Sequence, residues 1–334
     1  MRTKHEYVSS PSSRRVFLKR ISVTAGLAWV PALVGASVQA GEAPAAAKST
    51  AASRPVFKPS ADGGFEFDTG ALRGRLRAGG RSLGLSSVVH LPSGASLDCS
   101  NGLLSHYRVF TTGKRYGGGA WDWPSQAALR EDGSVEVRWS NAPDRPFDFA
   151  AIYRWVNPAT CELETRVRAL VDLTGFESFA ASYFDKDFDS ASVHVQDRVP
   201  SDHRAGLLAA EATLGPWLMA PRDTEAVQLI RDGRWKLEPN PVDWVMLPPL
   251  AGPLAVRRNR KSGITATLMA RPKDCFAVAM PHQTEGHYSV YFSLFGQNLK
   301  ADEQRVARLR LGVVGTTGDT DLIRGYEKFI ASGI

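Results

Sequence analysis

The feature that most constrains the fold is an alternation of side chains with a period of two residues. Between Cys161 and Leu170 every second residue is apolar or small, and two glutamates and two arginines lie between them. An extended strand places these two sets on opposite faces. The run therefore predicts an antiparallel strand with one buried face and one wet face, along which opposite charges pair.

Similar runs recur along the chain. Leu72–Arg77, Ser134–Trp139 and Phe147–Phe149 alternate, and Asp132-Gly133 predicts a hairpin turn. Only residues 319–332 favour a helix, with Asp319 as a candidate N-cap and an apolar stripe before Gly333. Because no strand–helix–strand rhythm is present, we predict an all-β fold, a large two-sheet antiparallel β-sandwich with a short C-terminal helix.

The first 40 residues have the features of an export signal. Residues 13–19, with Arg14 and Arg15, resemble the bacterial twin-arginine signal, and a mild apolar stretch follows over residues 21–36. This stretch is shorter than the roughly 20 apolar residues that a membrane span needs. Small residues in Val38-Gln39-Ala40 predict cleavage after Ala40.

These features predict the domain organisation and the location of the protein. We expect a twin-arginine signal peptide over residues 1–40, a disordered lead-in over 41–58 and a single β-sandwich domain over 59–334. The expected location is periplasmic or extracellular. The expected transient partners are the twin-arginine translocase and a signal peptidase, and no stable membrane anchor is predicted.

Charge argues against nucleic acid as a partner. The formal charge of the chain is +7. Six basic side chains against one acidic side chain in residues 1–40 give that segment +5, so the remainder carries only +2. A nearly neutral domain has little general attraction for a phosphate backbone.

Known cofactor and metal motifs are absent from the sequence. There is no dinucleotide or phosphate-binding glycine loop, no Gly-x-Ser-x-Gly and no His-Glu-x-x-His. The three cysteines, Cys99, Cys161 and Cys275, are widely spaced and predict small buried side chains rather than a metal site. No cofactor and no metal are therefore predicted.

Three segments mix aromatic and charged residues in a way that suits a saccharide. An indole can stack on the apolar face of a sugar ring, while charged groups take its hydroxyls. The segments are His106–Pro124, Arg231–Trp244 and His282–Tyr288. Four of the seven tryptophans beyond residue 40 lie in the first two, in loop-like sequence: Trp121, Trp123, Trp235 and Trp244.

The candidate catalytic residues are His106, His287 and Glu285. Imidazole can take up or release a proton near neutral pH, and Glu285 and His287 share a face of an extended strand. The candidate substrate-binding residues are Arg108, Arg115, Trp121, Asp122, Trp123, Tyr183, Arg234 and Trp235. For each segment a structural alternative remains: a loop that closes the end of the sheet, an ordinary hairpin at Asp232-Gly233, or surface histidines.

Short motifs resemble the galactose mutarotase-like β-sandwich superfamily over roughly residues 60–314. These are the strand pair in residues 147–170, Ala181-Ser-Tyr-Phe184, and the closing strand, turn and strand from Gly286 to Arg310. The resemblance implies the sandwich fold and a sugar ligand. Epimerases of that superfamily have a catalytic His where this chain has Ala181, so only Tyr183 and Phe184 match. Simple aldose 1-epimerase activity is therefore not expected.

Three functions fit these observations. The first is an exported carbohydrate-active enzyme that uses acid–base chemistry as a lyase, epimerase or hydrolase. The second is a non-catalytic saccharide-binding protein of the cell envelope on the same fold. The third is an assembly protein whose tryptophan loops contact another protein.

Overall fold

A computed structural model describes residues 54–78, 81–196, 206–282 and 285–333. The signal-peptide prediction for residues 1–40 lies outside the described residues, as does the part of the lead-in prediction that covers residues 41–53. The described residues belong to one compact unit. Phe57, within the predicted lead-in, is buried, and its backbone N–H donates to the carbonyl of Gly133.

The described residues form 21 strands and two α-helices. The first strands are β1 (Lys58–Pro59), β2 (Phe65–Asp68), β3 (Leu72–Arg77), β4 (Gly84–His90), β5 (Ala95–Ser96), β6 (Ser105–Thr111) and β7 (Lys114–Arg115). The next are β8 (Gln126–Leu129), β9 (Val135–Trp139), β10 (Phe147–Asn157), β11 (Thr160–Ala169), β12 (Leu173–Tyr183), β13 (Ser190–Val195) and β14 (Gly206–Ala209). The last are β15 (Trp217–Pro221), β16 (Val245–Met246), β17 (Leu250–Asn259), β18 (Ile264–Ala270), β19 (Cys275–Pro281), β20 (Ser289–Leu299) and β21 (Gln304–Gly315). The helices are α1 (Thr224–Ile230) and α2 (Asp319–Ala331).

These strands form three sheets. A nine-stranded sheet has the order β14-β13-β17-β18-β21-β11-β10-β9-β8, and a seven-stranded sheet has the order β16-β15-β19-β20-β12-β6-β7. A five-stranded sheet, β1 to β5, follows chain order. Neighbouring strands are antiparallel except for the short parallel pair of β15 and β16. The all-β sandwich prediction is confirmed, and the five-stranded sheet is an addition to the two sheets expected.

The core lies between the nine-stranded and seven-stranded sheets. Phe147 of β10 meets Phe176 of β12 at 5.2 Å between ring centroids. The five-stranded sheet joins the same core, because Phe67 of β2 packs on Trp155 of β10 at 4.7 Å. All four rings are almost completely buried. Burial of such rings from three sheets is the main stabilisation available to a fold of this kind.

The alternating run that predicts a half-buried strand is β11. Its apolar side chains face the core, and on the opposite face Arg166 and Arg168 are exposed as predicted, whereas Glu162 and Glu164 are buried by their arginine partners. Their charges pair mainly across strands: Arg310 of β21 reaches Glu162 at 2.7 Å and Arg308 reaches Glu164 at 2.7 Å. The predicted hairpin at Asp132-Gly133 is also present and joins β8 to β9.

The outer face of the seven-stranded sheet is covered by a segment that the alternation did not predict. After β15 the chain forms α1, whose first turn is capped by the Asp223 carboxylate, which accepts from the backbone N–H of Ala226. A 3-10 turn at Arg234–Lys236 and a loop up to β16 follow. Trp235 from this turn packs on Phe110 and Phe179 of the sheet. This cover creates the hollow described below.

Helix α2 was predicted at nearly its observed bounds. Leu322, Tyr326 and Phe329 are buried, as the stripe required, although Gly318 and not Asp319 is the N-cap. Among the described residues no helix is both long and apolar enough to cross a bilayer.

Candidate functional site

The three aromatic and charged segments converge on one cavity of about 350 Å³ on the outer face of the seven-stranded sheet. The first segment supplies Tyr107 and Arg108, the second Trp235 and Trp244, and the third His287. The complete lining is Tyr107, Arg108, Phe179, Tyr183, Trp217, Trp235, Asn240, Pro241, Val242, Trp244, His287 and Tyr291. The volume lies within the range of small-molecule sites.

A β-bulge in β6 places two neighbouring side chains in this cavity. Val109 pairs with Ser178 and His106 pairs with Ala180, so Tyr107 and Arg108 together stand opposite the single residue Phe179. In a regular strand, neighbours point to opposite faces. The extra residue lets both side chains line the cavity.

Arg108 is a buried cation at the wall of the cavity. Its side chain is almost fully covered, with the residue only 4% exposed. Nη2 donates to the carbonyl of Asn240 at 2.8 Å and weakly to the Tyr107 hydroxyl at 3.4 Å. Nε and Nη1 have no hydrogen-bond partner among the described residues. Both atoms are buried in this structure, so an acceptor from a ligand would reach them only with a shift of the cavity wall, and it would remove the cost of two unpaired buried donors.

Aromatic rings form the base and one wall. Phe179 stacks on Tyr291 with ring centroids 4.7 Å apart, and it meets the edge of Trp235 at 4.7 Å. Trp244 stands perpendicular to Trp235 at 5.1 Å. Trp217, at the start of β15, is 6.1 Å from Trp244. Trp217 and Trp244 stay partly exposed, so part of their ring surface is open to a bound molecule.

His287 and Glu285 form a dyad at the rim. Nδ1 of His287 lies 2.6 Å from a carboxylate oxygen of Glu285, whose other oxygen accepts from the backbone N–H of His287 at 3.0 Å. The carboxylate fixes the ring orientation and the tautomer, which leaves Nε2 for a ligand. Trp217 packs against the imidazole at 5.5 Å. The arrangement can hold or move one proton at Nε2.

Tyr183 and Tyr291 also line the cavity, and their hydroxyls are joined by a hydrogen bond. The Ser289 hydroxyl donates to the Tyr291 oxygen at 2.8 Å, and the Tyr291 hydroxyl donates to the Tyr183 oxygen at 3.3 Å. Burial raises the pKa of Tyr183 and of Tyr291 above the ordinary tyrosine value. Both phenols therefore stay protonated and act as hydrogen-bonding groups rather than as bases.

His106 lies away from the cavity, between the two large sheets. Its Nδ1 is 2.9 Å from the Ser178 hydroxyl and its Nε2 is 3.2 Å from the Thr165 hydroxyl of the facing sheet. Burial lowers the pKa of His106 to about 3. The neutral ring holds the sheets together and cannot exchange protons with a ligand in the cavity. This placement replaces the catalytic role that the sequence suggested for it.

Three of the predicted binding residues also lie elsewhere. Trp123 is buried in the main core with the Arg145 guanidinium 4.3 Å from its ring. Asp122 is exposed and faces Arg81 at 3.6 Å. Arg234 is fully buried under the cavity, so a ligand cannot reach it, and its guanidinium is neutralised by Glu177 at 2.9 Å and by Asp232 at 2.7 Å.

Trp121 and Arg115 lie just behind the cavity wall. Trp121 stacks on Tyr107 with ring centroids 4.3 Å apart and nearly parallel planes. The Arg115 guanidinium lies 6.0 Å from the centre of the Tyr107 ring. It donates to the carbonyls of Gly117 and Pro239. Both support Tyr107, while Arg108, Tyr183, Trp235 and His287 line the cavity itself.

Eight of the twelve lining residues were not among the predicted site residues, and they include Tyr107, Trp217, Trp244 and Tyr291. Trp217 had a usable signal, since it opens a strand directly after Gly215-Pro216, where a large ring sits at the end of a sheet. Tyr291 had none, because its strand is buried on both faces and shows no alternation. Among the described residues no group of three His, Cys, Asp or Glu side chains is placed to hold a metal ion.

No protein-family model matches the chain, and no curated protein matches it. Solved structures with a similar arrangement include a galactose mutarotase-like protein from Lactobacillus casei, with 10% identity and a TM-score of 0.46 over 75% of this chain and 100% of that one. A second, from Clostridium acetobutylicum, has 8% identity and a TM-score of 0.43 over 75% and 95%.

An α-N-acetylgalactosaminidase from Bifidobacterium bifidum has 12% identity and a TM-score of 0.49 over 80% of this chain and 39% of that one. The first two bear the name of the superfamily that the sequence motifs resemble. The sandwich and the cavity are established by the chain's own strands and side chains, and neither rests on these similarities.

Proposed function

We propose that the cavity binds a sugar ring and that the protein is an exported carbohydrate-active protein using acid–base chemistry. The observation that supports this is the meeting of partly exposed indoles, a buried arginine with unused donors and a His–Glu dyad within one hollow of about 350 Å³. A sugar ring has apolar C–H faces for the indoles and a rim of hydroxyls for the polar groups.

Each group has a distinct task in this proposal. Trp217 and Trp244 stack on the ring, and the hydroxyls of Tyr183 and Tyr291 bond to its oxygens. His287 gives or takes one proton at Nε2, while Glu285 holds the ring and stabilises the imidazolium that forms. These tasks fit a lyase, epimerase or hydrolase step on a sugar.

A non-catalytic saccharide-binding protein is the second candidate. It is favoured by the placement of His106 in the core, which leaves His287 as the one histidine among the described residues that line the cavity. Most acid–base reactions on sugars use two proton carriers. If a single dyad is not enough for turnover, the same aromatic walls still bind the ring.

The experiment that tests sugar binding is calorimetry with a panel of monosaccharides and oligosaccharides. Trp217→Ala is expected to weaken binding about tenfold, because it removes one stacking face. His90→Ala is the control, since His90 lies in the five-stranded sheet and its removal is expected to leave binding unchanged. A panel in which no saccharide binds would contradict the proposed function.

Turnover of any bound saccharide separates the two candidates. For an enzyme, His287→Ala is expected to abolish product formation while the dissociation constant changes little. For a binding protein, wild type and variant both leave the saccharide unchanged over long incubation. Product release analysed by mass spectrometry distinguishes these results.

Export by the twin-arginine route is part of the proposal and has its own test. Replacing both Arg14 and Arg15 by lysine is expected to leave the unprocessed chain in the cytoplasm of a bacterial host. Fractionation with immunoblotting measures this. Processing and export of the double-lysine variant at the wild-type level would contradict the proposed route.

A further inference from the structure

We propose that the preferred ligand is an acidic sugar, a hexose ring bearing a carboxylate, and that Arg108 binds this carboxylate. The inference rests on the proposed function and specifies its substrate class. It also assigns Arg115 a supporting role through its positive charge.

Arg108 has two aromatic neighbours but no carboxylate partner: its guanidinium carbon lies 4.9 Å from the Tyr107 ring centre and 5.3 Å from that of Trp235. Its buried guanidinium uses Nη2 for a backbone carbonyl and a hydroxyl, and it makes no hydrogen bond to a described carboxylate. A buried charge is normally paired, because desolvation is costly. A ligand carboxylate has two acceptor oxygens in the planar geometry that suits a guanidinium fork.

Arg234 is a second buried arginine near the cavity, and the chain itself supplies its counter-charges. It lies on the same face of the sheet as Arg108 and is fully buried, yet it has Glu177 and Asp232 as close carboxylate partners. Arg108 lines the cavity and has no equivalent partner. Arg257 is also fully buried and donates only to the backbone carbonyls of Phe188 and Ser289, so the missing carboxylate points to a ligand only together with the position of Arg108 in the cavity lining.

Arg115 adds to the positive character of this wall. The described hydrogen bonds of its guanidinium go to backbone carbonyls of Gly117, Gly118 and Pro239. Burial and the neighbouring Arg108 charge lower the pKa of Arg115, although Tyr107 and Glu238 act in the opposite direction. Two nearby guanidiniums repel each other, and a bound carboxylate relieves that repulsion.

A competing explanation is that both arginines only hold the loop that closes the cavity. Arg108 donates to the carbonyl of Asn240 and Arg115 to that of Pro239, and this loop forms one wall. A purely structural tether would matter equally for neutral and acidic sugars. An acid-binding role would matter only for the acidic ones, so the two explanations predict different results.

The test compares matched sugars by tryptophan fluorescence and calorimetry on the mature protein. The probes are D-galacturonate and D-glucuronate, the neutral hexoses D-galactose and D-glucose, and the uronamides, which keep the shape but lose the charge. We expect each uronate to bind at least about tenfold more tightly than its hexose or uronamide, as a charge-assisted pair provides.

Variants then assign the effect to Arg108. Arg108→Met is expected to abolish the preference for each uronate over its hexose and uronamide, and Arg108→Lys is expected to retain part of that preference. Arg138→Met, an exposed arginine of the nine-stranded sheet, is the matched control. Circular dichroism and thermal melting confirm that each variant is folded. If Arg108→Met does not fold, Arg108→Lys carries the test alone.

The outcomes are separable. Neutral hexoses that bind as tightly as uronates would overturn this inference and leave the sugar-binding proposal standing. An equal loss for both sugar types in the folded Arg108 variants would make Arg108 a loop tether and also overturn it. No binding by any saccharide would instead remove the proposed function.

Discussion

The buried imidazole of His106 makes the stability of the protein depend on pH in a way that can be calculated. The ring lies between the sheets, and burial lowers its pKa to about 3, against an ordinary value of 6.5. In the folded state the His106 imidazole therefore stays unprotonated down to about pH 3. In the unfolded chain the same imidazole binds a proton below its ordinary pKa of 6.5. Folding stability is complete above pH 6.5 and decreases as the pH falls from there towards 3.

The expected size follows from this difference. Between pH 6.5 and 3 each pH unit lowers the free energy of unfolding by about 1.4 kcal/mol. A change from pH 7 to pH 5 includes about 1.5 units of that range, so it removes about 2 kcal/mol. Replacing His106 by glutamine keeps a hydrogen-bonding side chain between Ser178 and Thr165 but removes the titration. Between pH 7 and pH 5 the free energy of unfolding of the variant is expected to decrease by about 2 kcal/mol less than that of the wild type.

Urea denaturation followed by tryptophan fluorescence at pH 7 and pH 5 measures both values. Carboxylates and the remaining histidines titrate in both proteins, so their contributions cancel in the comparison. His90→Gln is the control, because His90 is only partly buried and its removal should change the pH dependence much less. An equal loss of stability in wild type and His106→Gln would show that the His106 imidazole does not cause this pH dependence.

Three further predictions concern single positions. Arg234→Met leaves Glu177 buried without its partner and is expected to lower the free energy of unfolding by about 3–5 kcal/mol in urea denaturation. Adding Glu177→Gln is expected to recover part of this loss, and no recovery in the double variant would contradict the prediction. Gly84→Ala is expected to cost about 1–3 kcal/mol in the same assay, because Gly84 has φ of +65° and a Cβ there would lie 2.2 Å from the Leu103 carbonyl oxygen; a neutral result would contradict it. Tyr183→Phe removes one hydroxyl from the cavity and is expected to weaken sugar binding about fivefold in calorimetry with little change in melting temperature, whereas unchanged affinity would exclude that hydroxyl from ligand binding.

The fold was predictable from sequence where one face of a strand is charged and the other apolar. The β11 alternation shows which side chains face the core, since its outer face is charged. The hairpin at Asp132-Gly133 needs only a local turn signal. The division into three sheets was not predictable, because strands such as β11 and β21 lie far apart in the chain and their pairing leaves no local pattern. Helix α1 has only seven residues, too few for a clear period.

The candidate site was predictable as segments but not as individual side chains. His287 and Glu285 were found together because two residues of separation is a local relation. His106 and Arg108 could not be separated by sequence, since β6 is covered on both sides and shows no alternation. Arg234 looked like a ligand-binding cation because its partner Glu177 is distant in the chain.

The extra residue in β6 has a consequence for how this scaffold can change. It offsets Tyr107 and Arg108 from the regular pleat while Val109 and His106 on either side keep facing the interior. Deleting either residue would restore the pleat and leave only one of the two positions on the ligand side. Substitution at 107 or 108, in contrast, leaves the interior layer untouched. Exchange at these two positions can therefore reshape the cavity wall without any repacking between the sheets.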